Sequence, residues 1–449
     1  LQCPVRQERI AVKGRPDVVE EVLLTPRGPL IGPALAGESG AISLRAVWLD
    51  ALPVEGLLHL HTARSFADFQ RSFEQWPGLP LNMVYADSGG AIGWQLCGQA
   101  PRRRKGYGAL PLAGWDPEAG WAADLLPGHV LPSVAEPEVG FVVTANNKVA
   151  PDGDEPFLTT DWLDGYRAAR IVEALGSRSD WDLASTAALQ MDVTSLPWRE
   201  LRATILAAPA GDPAAGRAIE LLRAWDGEVT AGSAAAALFE LFVAELCTRL
   251  ARTKAPQSYR LALGQGHHAM VPHNGFAARR VGHLVRLLAE QPAGWLPRPW
   301  PEEIAAALAA ALRHLESRYG ENPAGWAWGR VRTLTLLHPL GRRKPLDRLF
   351  NLGPIPWGGD SNTVSQAAVL PLEPEANPTF IASLRMVVDV GNWDASRFVL
   401  PGGQSGNPLS PHYADQFRLW QRGEAIPIPW SEAAVDGATR ATLRLRPLP

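Results

Sequence analysis

The stretch VVTANNKVA, Val142 to Ala150, sets the problem. Four residues suited to a strand, Val142 to Ala145, run into two adjacent amides, Asn146 and Asn147. Strands are depleted in Asn. The pair therefore marks one of two things. It is the turn that ends a strand, or it is a place where a side-chain amide is wanted, since an Asn NH2 can donate to an oxyanion developing during acyl transfer. Taken alone, the residues favour the turn, because turns are where Asn ordinarily falls.

Working outward, the preceding residues read mostly as strands. ERIAVKG (8–14), VVEEVLLT (18–25) and AISLRAVWL (41–49) are β-rich, and LNMVYADSGGAIGWQLCG (81–98) predicts a hairpin about DSGG at 87–90. A Pro-, Gly- and Trp-rich loop is expected from 99 to about 137, then a last strand, GFVVTA, at 140–145. Helical spacing follows at 166–175, 182–192, 198–208, 215–225, 232–254, 278–290 and 301–319. Strands return at 330–338, 383–390 and 396–403. Strands, then helices, then strands is not a βαβ alternation. The expected architecture is α+β: 1–150 strand-rich, 151–325 a mostly helical insertion, 326–449 a strand-rich return to the core of one discontinuous domain.

With 449 residues, 46% apolar and 20% charged, the chain is long enough for a large core. Its net charge of −3 gives nucleic acid no electrostatic draw. The most apolar window, SAAAALFELFVAEL (233–246), holds Glu240 and Glu245 and reads as a buried helix, so no membrane span is expected. The three cysteines, Cys3, Cys97 and Cys247, form no C-x-x-C pair, which excludes zinc ribbons and leaves room for one disulfide. No signal peptide is seen, and Leu1 reads as an internal point of a longer gene product.

Other chemistry finds little foothold. GGQSGNP (402–408) fails the G-x-S-x-G elbow, because the second residue after Ser405 is Asn407. GHHAMVPHNG (266–275) gathers His267, His268 and His273, with His283 beyond, yet no H-E-x-x-H is present and adjacent histidines point apart. A zinc hydrolase is carried as a competing expectation. PRRRKGYG (101–108) reads as a solvated basic loop. No phosphate loop and no G-x-G-x-x-G occur.

The order of the pieces carries more than any one of them. ERIAVKG, TPRGPLI, LNMVYADSGGAIGW, GQAPRRRKGYGALPLAGWD, GFVVTANNKV, DWLDGYRAARIVEAL, LQMDVTS and GGQSGNPLSPHYADQFRLWQRGEAIP follow one another along the chain. This series resembles the penicillin acylase family, heterodimeric amidases among the N-terminal nucleophile hydrolases. The resemblance implies a four-layer αββα sandwich with a helical insertion, incomplete at its N-terminus. It also implies a self-cleaving precursor whose β chain begins with a nucleophilic Ser. The free α-amine of that Ser, with a pKa of about 7.7–8.0, acts as its base. Leu1 is not that serine, so the nucleophile is expected upstream together with an α chain, and Ser39, Ser233 and Ser405 are not candidates for it. By the resemblance, Asn146 is the side-chain oxyanion donor and Asn147 holds the turn. Arg170 is expected near the catalytic centre, orienting Asn146 and the terminal amine, with Arg167 as the rival for that role. Asp161 corresponds to a carboxylate that ligates a structural calcium in the complete protein; no cofactor is required for the chemistry. Arg27 stands where the family often has His. The implied substrate is a small-molecule N-acyl amide (a β-lactam side chain, an acyl-homoserine lactone or a lipopeptide), in the periplasm or outside the cell. The alternative is a catalytically inactive scaffold or binding module.

Overall fold

The computed structural model describes residues 3–32, 40–50, 56–76, 80–151, 153, 155–268 and 271–446. Two compact units divide it. The first comprises 1–144, 148–162 and 266–272; the second comprises 145–147, 163–265 and 273–449.

The first unit is built from antiparallel strands. β1 (Val5–Ile10), β2 (Val18–Thr25) and the short β3 (Gly28–Pro29) form a meander. Helix α1 (Phe66–Ser72) starts at Ser65, whose side chain accepts from Asp68 N, as an N-cap should. β4 (Leu81–Ala86) and β5 (Ile92–Cys97) make the predicted hairpin in full register, from Leu81–Cys97 to Ala86–Ile92. Its turn is held by Asp87, which accepts from the amides of Gly89 and Ala91. Phe66 and Phe69 of α1, with Phe73 just past its end, pack with Tyr85 and Cys97 in a small aromatic core. β6 (Ala100–Lys105) and β7 (Gly120–Leu126) form a second hairpin, and β8 (Ser133–Ala135) adds to β5.

Three strand-level expectations are corrected here. Residues 41–49 carry no strand beyond an isolated bridge at Ser43, and a 3-10 turn occupies Val47–Leu49. The expected loop at 99–137 contains the β6–β7 hairpin. The strand expected at 140–145 has no ladder partner among the described residues. A strand is defined by the neighbour that takes its backbone hydrogen bonds.

The second unit is helical over its first half. The helices are α2 (Tyr166–Gly176), α3 (Leu183–Leu189), α4 (Leu196–Leu206), α5 (Pro213–Arg223), α6 (Ala234–Lys254), the short α7 (Tyr259–Ala262), α8 (Val281–Glu290) and α9 (Trp300–Tyr319). Their starts follow from local chemistry. Ser195, Asp212 and Ser233 each accept a backbone N–H at the first turn, and Pro follows the cap of α4 and α5. α9 opens with Glu302 and Glu303 at the positive end of its dipole and stops at Gly320, φ 83°. α6 is apolar nearly all round and lies at the centre of the core, packed on α5 and α9. Alanines at 235–237, 307, 309 and 311 let these backbones approach closely. Two paired strands, Thr333–Leu336 and Leu352–Pro356, and a three-stranded sheet of Arg385–Val387, Arg397–Val399 and Ile426–Pro427 complete this unit. They close a second core around the stacked rings of Trp357 and Trp420, 4.5 Å apart.

The class is α+β. No helix among the described residues is long and apolar enough to cross a membrane.

Candidate active site

Asn146 sits at a sharp turn with φ 63°, in the left-handed region. Asn visits that region at little cost because its short polar side chain bonds locally. The neighbouring amide supplies such a bond: Asn147 Oδ1 accepts from Ala145 N at 3.0 Å. Asn147 therefore holds the turn. Asn146 is left exposed, with its side chain turned to helix α2.

There the guanidinium of Arg167 meets it. Arg167 Nη2 donates to Asn146 Oδ1 at 2.9 Å. A guanidinium can only donate, so the amide atom facing it is the oxygen. The Asn146 NH2 then points elsewhere with two N–H groups to give. Arg167 is partly buried, and that burial pulls its pKa below the ordinary arginine value.

Arg170, one turn further along α2, faces another partner. Its Nε and Nη2 grip the carboxylate of Asp192, with Nη2 to Oδ2 at 2.7 Å, and its Nη1 reaches Glu173 at 3.2 Å. The hydrogen bond raises the Arg170 pKa, against the effect of burial. Burial works to raise the Asp192 carboxyl, yet the hydrogen bonds from Arg170 and Thr194 hold it below the usual carboxylate range. Thr194 passes the network to Glu228 at 2.8 Å. Positions three apart on a helix share a face, so both arginines border the same side. Tertiary contacts decide which one reaches the amide, and the contact falls to Arg167.

Asp192 lies in the piece LQMDVTS, and nothing in the sequence links it to an arginine 22 positions away. Asp164 was also missed. It accepts from Val281 N at 3.0 Å and so caps α8 from a distant stretch of chain, and burial lifts its pKa.

The remaining candidates make contacts of their own. Asp161 is exposed, and its backbone N–H bonds Thr159 Oγ1 at 3.0 Å. Calcium takes six to eight oxygens, and among the described residues no group of three or more His, Cys, Asp or Glu comes together. The described residues do not by themselves fit a calcium site. His273 is exposed, while His283 shares its Nδ1 with Arg286 at 3.1 Å and packs on Trp295. Ser233 caps α6, and Ser405 Oγ accepts from Asn407 N in a turn; Ser39 lies outside the described residues. Arg27 donates to the carbonyls of Ala119 and Asp116, tying its turn to the β6–β7 hairpin. Cys3, Cys97 and Cys247 are unpaired.

In this α+β chain a left-handed turn thus presents a carboxamide whose oxygen an arginine holds. Comparison with known proteins places the chain. The profile of the penicillin amidase family matches residues 1–437, and the chain belongs to that family. It is 34% identical over 448 residues to the penicillin acylase 2 proenzyme of Pseudomonas sp. (strain SE83), covering 98% of this chain and 56% of that protein. It is 31% identical over 468 residues to the acyl-homoserine lactone acylase QuiP of Pseudomonas fluorescens, covering 98% of this chain and 56% of that protein. The chain thus spans little more than half the length of these relatives. Among solved structures, a thermostable penicillin G acylase from Alcaligenes faecalis superposes with TM-score 0.68 at 21% identity, covering 100% of this chain and 82% of that one, which shows the fold alone.

Proposed function

We propose that the complete protein hydrolyses linear amide bonds of small N-acyl substrates, with Asn146 as oxyanion donor and Arg167 as the group that positions it. The single observation carrying this is the Arg167–Asn146 hydrogen bond at the left-handed turn. It fixes the amide with its N–H groups outward, where they can stabilise a tetrahedral oxyanion. Arg170, whose charge is matched by Asp192 and Glu173, ties α2 to the stretch after α3 and so steadies the helix that carries Arg167. In this reading the nucleophile is an N-terminal Ser supplied from outside these residues, the αββα sandwich is completed there, and an α chain from the same precursor is the partner. Export to the periplasm belongs to the same reading, and calcium through Asp161 would need oxygens from beyond the described residues. The relatives' names point to two substrate classes, penicillins and acyl-homoserine lactones.

The test uses the full-length gene product with penicillin G and with N-acyl-homoserine lactones of short and long chains. Released amine is read by fluorescamine, and the chain termini by mass spectrometry. Amine release together with a new Ser terminus is the expected result. A protein that stays uncleaved and releases no amine from either class would establish the second reading, a non-catalytic module.

A further inference from the structure

The basic run PRRRK is not a solvated loop. It is strand β6, paired with β7 through two breaks in register, at Pro101–Arg103 and Arg103–Lys105. Such irregularities re-aim side chains, and the four cations meet different ends. Lys105 Nζ donates to Asp116 at 2.6 Å. Arg104 Nη1 reaches the Pro117 carbonyl at 3.4 Å. Arg102 is exposed.

Arg103 differs. Its Nε is cut off from solvent with no hydrogen-bond partner, and among the described residues no carboxylate pairs with it. Burial lowers its pKa with no opposing charge to restore it. Its guanidinium lies against Gly108 (φ 73°), where an added Cβ would come within 2.6 Å of Cζ. Arg103 as a whole is half-buried, and its guanidinium pairs with no acid among the described residues. It borders a cleft of about 580 Å³, within the size range of small-ligand sites. Leu126, Val130 and the tilted pair Tyr107–Phe157, 5.0 Å between ring centres, give it apolar walls. Among the described residues Glu155 is the single acid in its lining.

We propose that this cleft binds a small organic carboxylate, its carboxylate on Arg103 and its apolar body against Tyr107 and Phe157. Guanidinium and carboxylate match as planar, two-bond partners. A phosphate dianion fits less well, because Glu155 repels two charges more than one and phosphate has no apolar body to set against Tyr107 and Phe157. The proposal does not rest on the amidase reading, since binding is measured without turnover.

The experiment is a titration of the full-length protein with phenylacetate and, separately, with inorganic phosphate, followed by ligand-observed NMR and by thermal shift. Phenylacetate is expected to saturate and to raise the unfolding temperature. Arg103→Met should weaken it at least tenfold, while Arg102→Ala changes it less than twofold. Because Arg103 makes no ion pair among the described residues, Arg103→Met should unfold no earlier than wild type, which separates lost binding from lost fold. Asn146→Asp should bind phenylacetate at this cleft as wild type does, separating it from the candidate active site. No saturation, undiminished binding by Arg103→Met, or phosphate binding as tightly as phenylacetate overturns the proposal.

Discussion

Replacing Asn146 by Asp separates the chemistry of the turn from its stability. Asp tolerates the left-handed backbone at φ 63° about as well as Asn, so the turn keeps its shape. Arg167 Nη2, now 2.9 Å from a carboxylate oxygen, gains an ion pair for its partly desolvated guanidinium. For so exposed a pair the gain is about 0–1 kcal/mol. What disappears is the NH2 group. Loss of one side-chain oxyanion donor costs about 2.7–4 kcal/mol of transition-state stabilisation, or about 10²–10³ in kcat. Asn146→Asp is therefore expected to keep its unfolding temperature and lose two to three orders of magnitude in kcat by that estimate. The assay pairs thermal unfolding with amine release by the full-length protein, after mass spectrometry has verified its chain termini. Arg167→Lys, which keeps one donor, should fall between the two. An Asn146→Asp protein that is fully folded and within threefold of wild-type kcat would refute the reasoning.

Three further outcomes follow from the second unit. Asp192→Asn weakens the clamp on Arg170 and should cost about 1.5–3 kcal/mol of stability, the worth of hydrogen bonds to a charged group, measured by urea unfolding. Arg332 is 1% exposed, donates to the carbonyls of Gly359, Ala367 and Ala368, and stacks on Trp328 at 4.4 Å. Arg332→Met leaves those carbonyls and the acids Glu240 and Asp360 uncompensated, so a loss of about 3–5 kcal/mol is expected in the same assay. Glu240 faces Asp360, Arg332 and Arg280; burial first, then Asp360, lifts its pKa well above the ordinary value, with the two arginines opposing. The folded state thus holds the proton more tightly than the unfolded chain, and this contribution to stability is complete at low pH and lost as pH rises through the folded pKa. Glu240→Gln should be more stable relative to wild type at about pH 8 than at about pH 5, by more than about 1 kcal/mol, the worth of one pKa unit. An equal difference at both pH values would remove the raised pKa.

Local chemistry was legible in the sequence. The spacing of apolar residues placed the seven long helical segments to within a few residues, because an amphipathic period and a Ser or Asp cap are properties of the chain alone. The turn DSGG fixed the β4–β5 hairpin for the same reason. The order of the quoted pieces marked the penicillin amidase family, and the profile match to residues 1–437 shows it. Long-range partners were decided only by the tertiary structure. Gly140–Ala145 looks like a strand, but a strand is a relation between two segments, and none pairs with it among the described residues. The PRRRK run looks like a solvated loop because pairing with residues about twenty positions away is invisible to composition. Arg167 and Arg170 are equivalent by helical spacing, and only the folded positions of Asn146 and Asp192 tell them apart. Backbone propensity acts over a turn or two of chain, whereas hydrogen-bond partners for a guanidinium or a carboxamide are assigned by which distant groups the core brings within 3 Å.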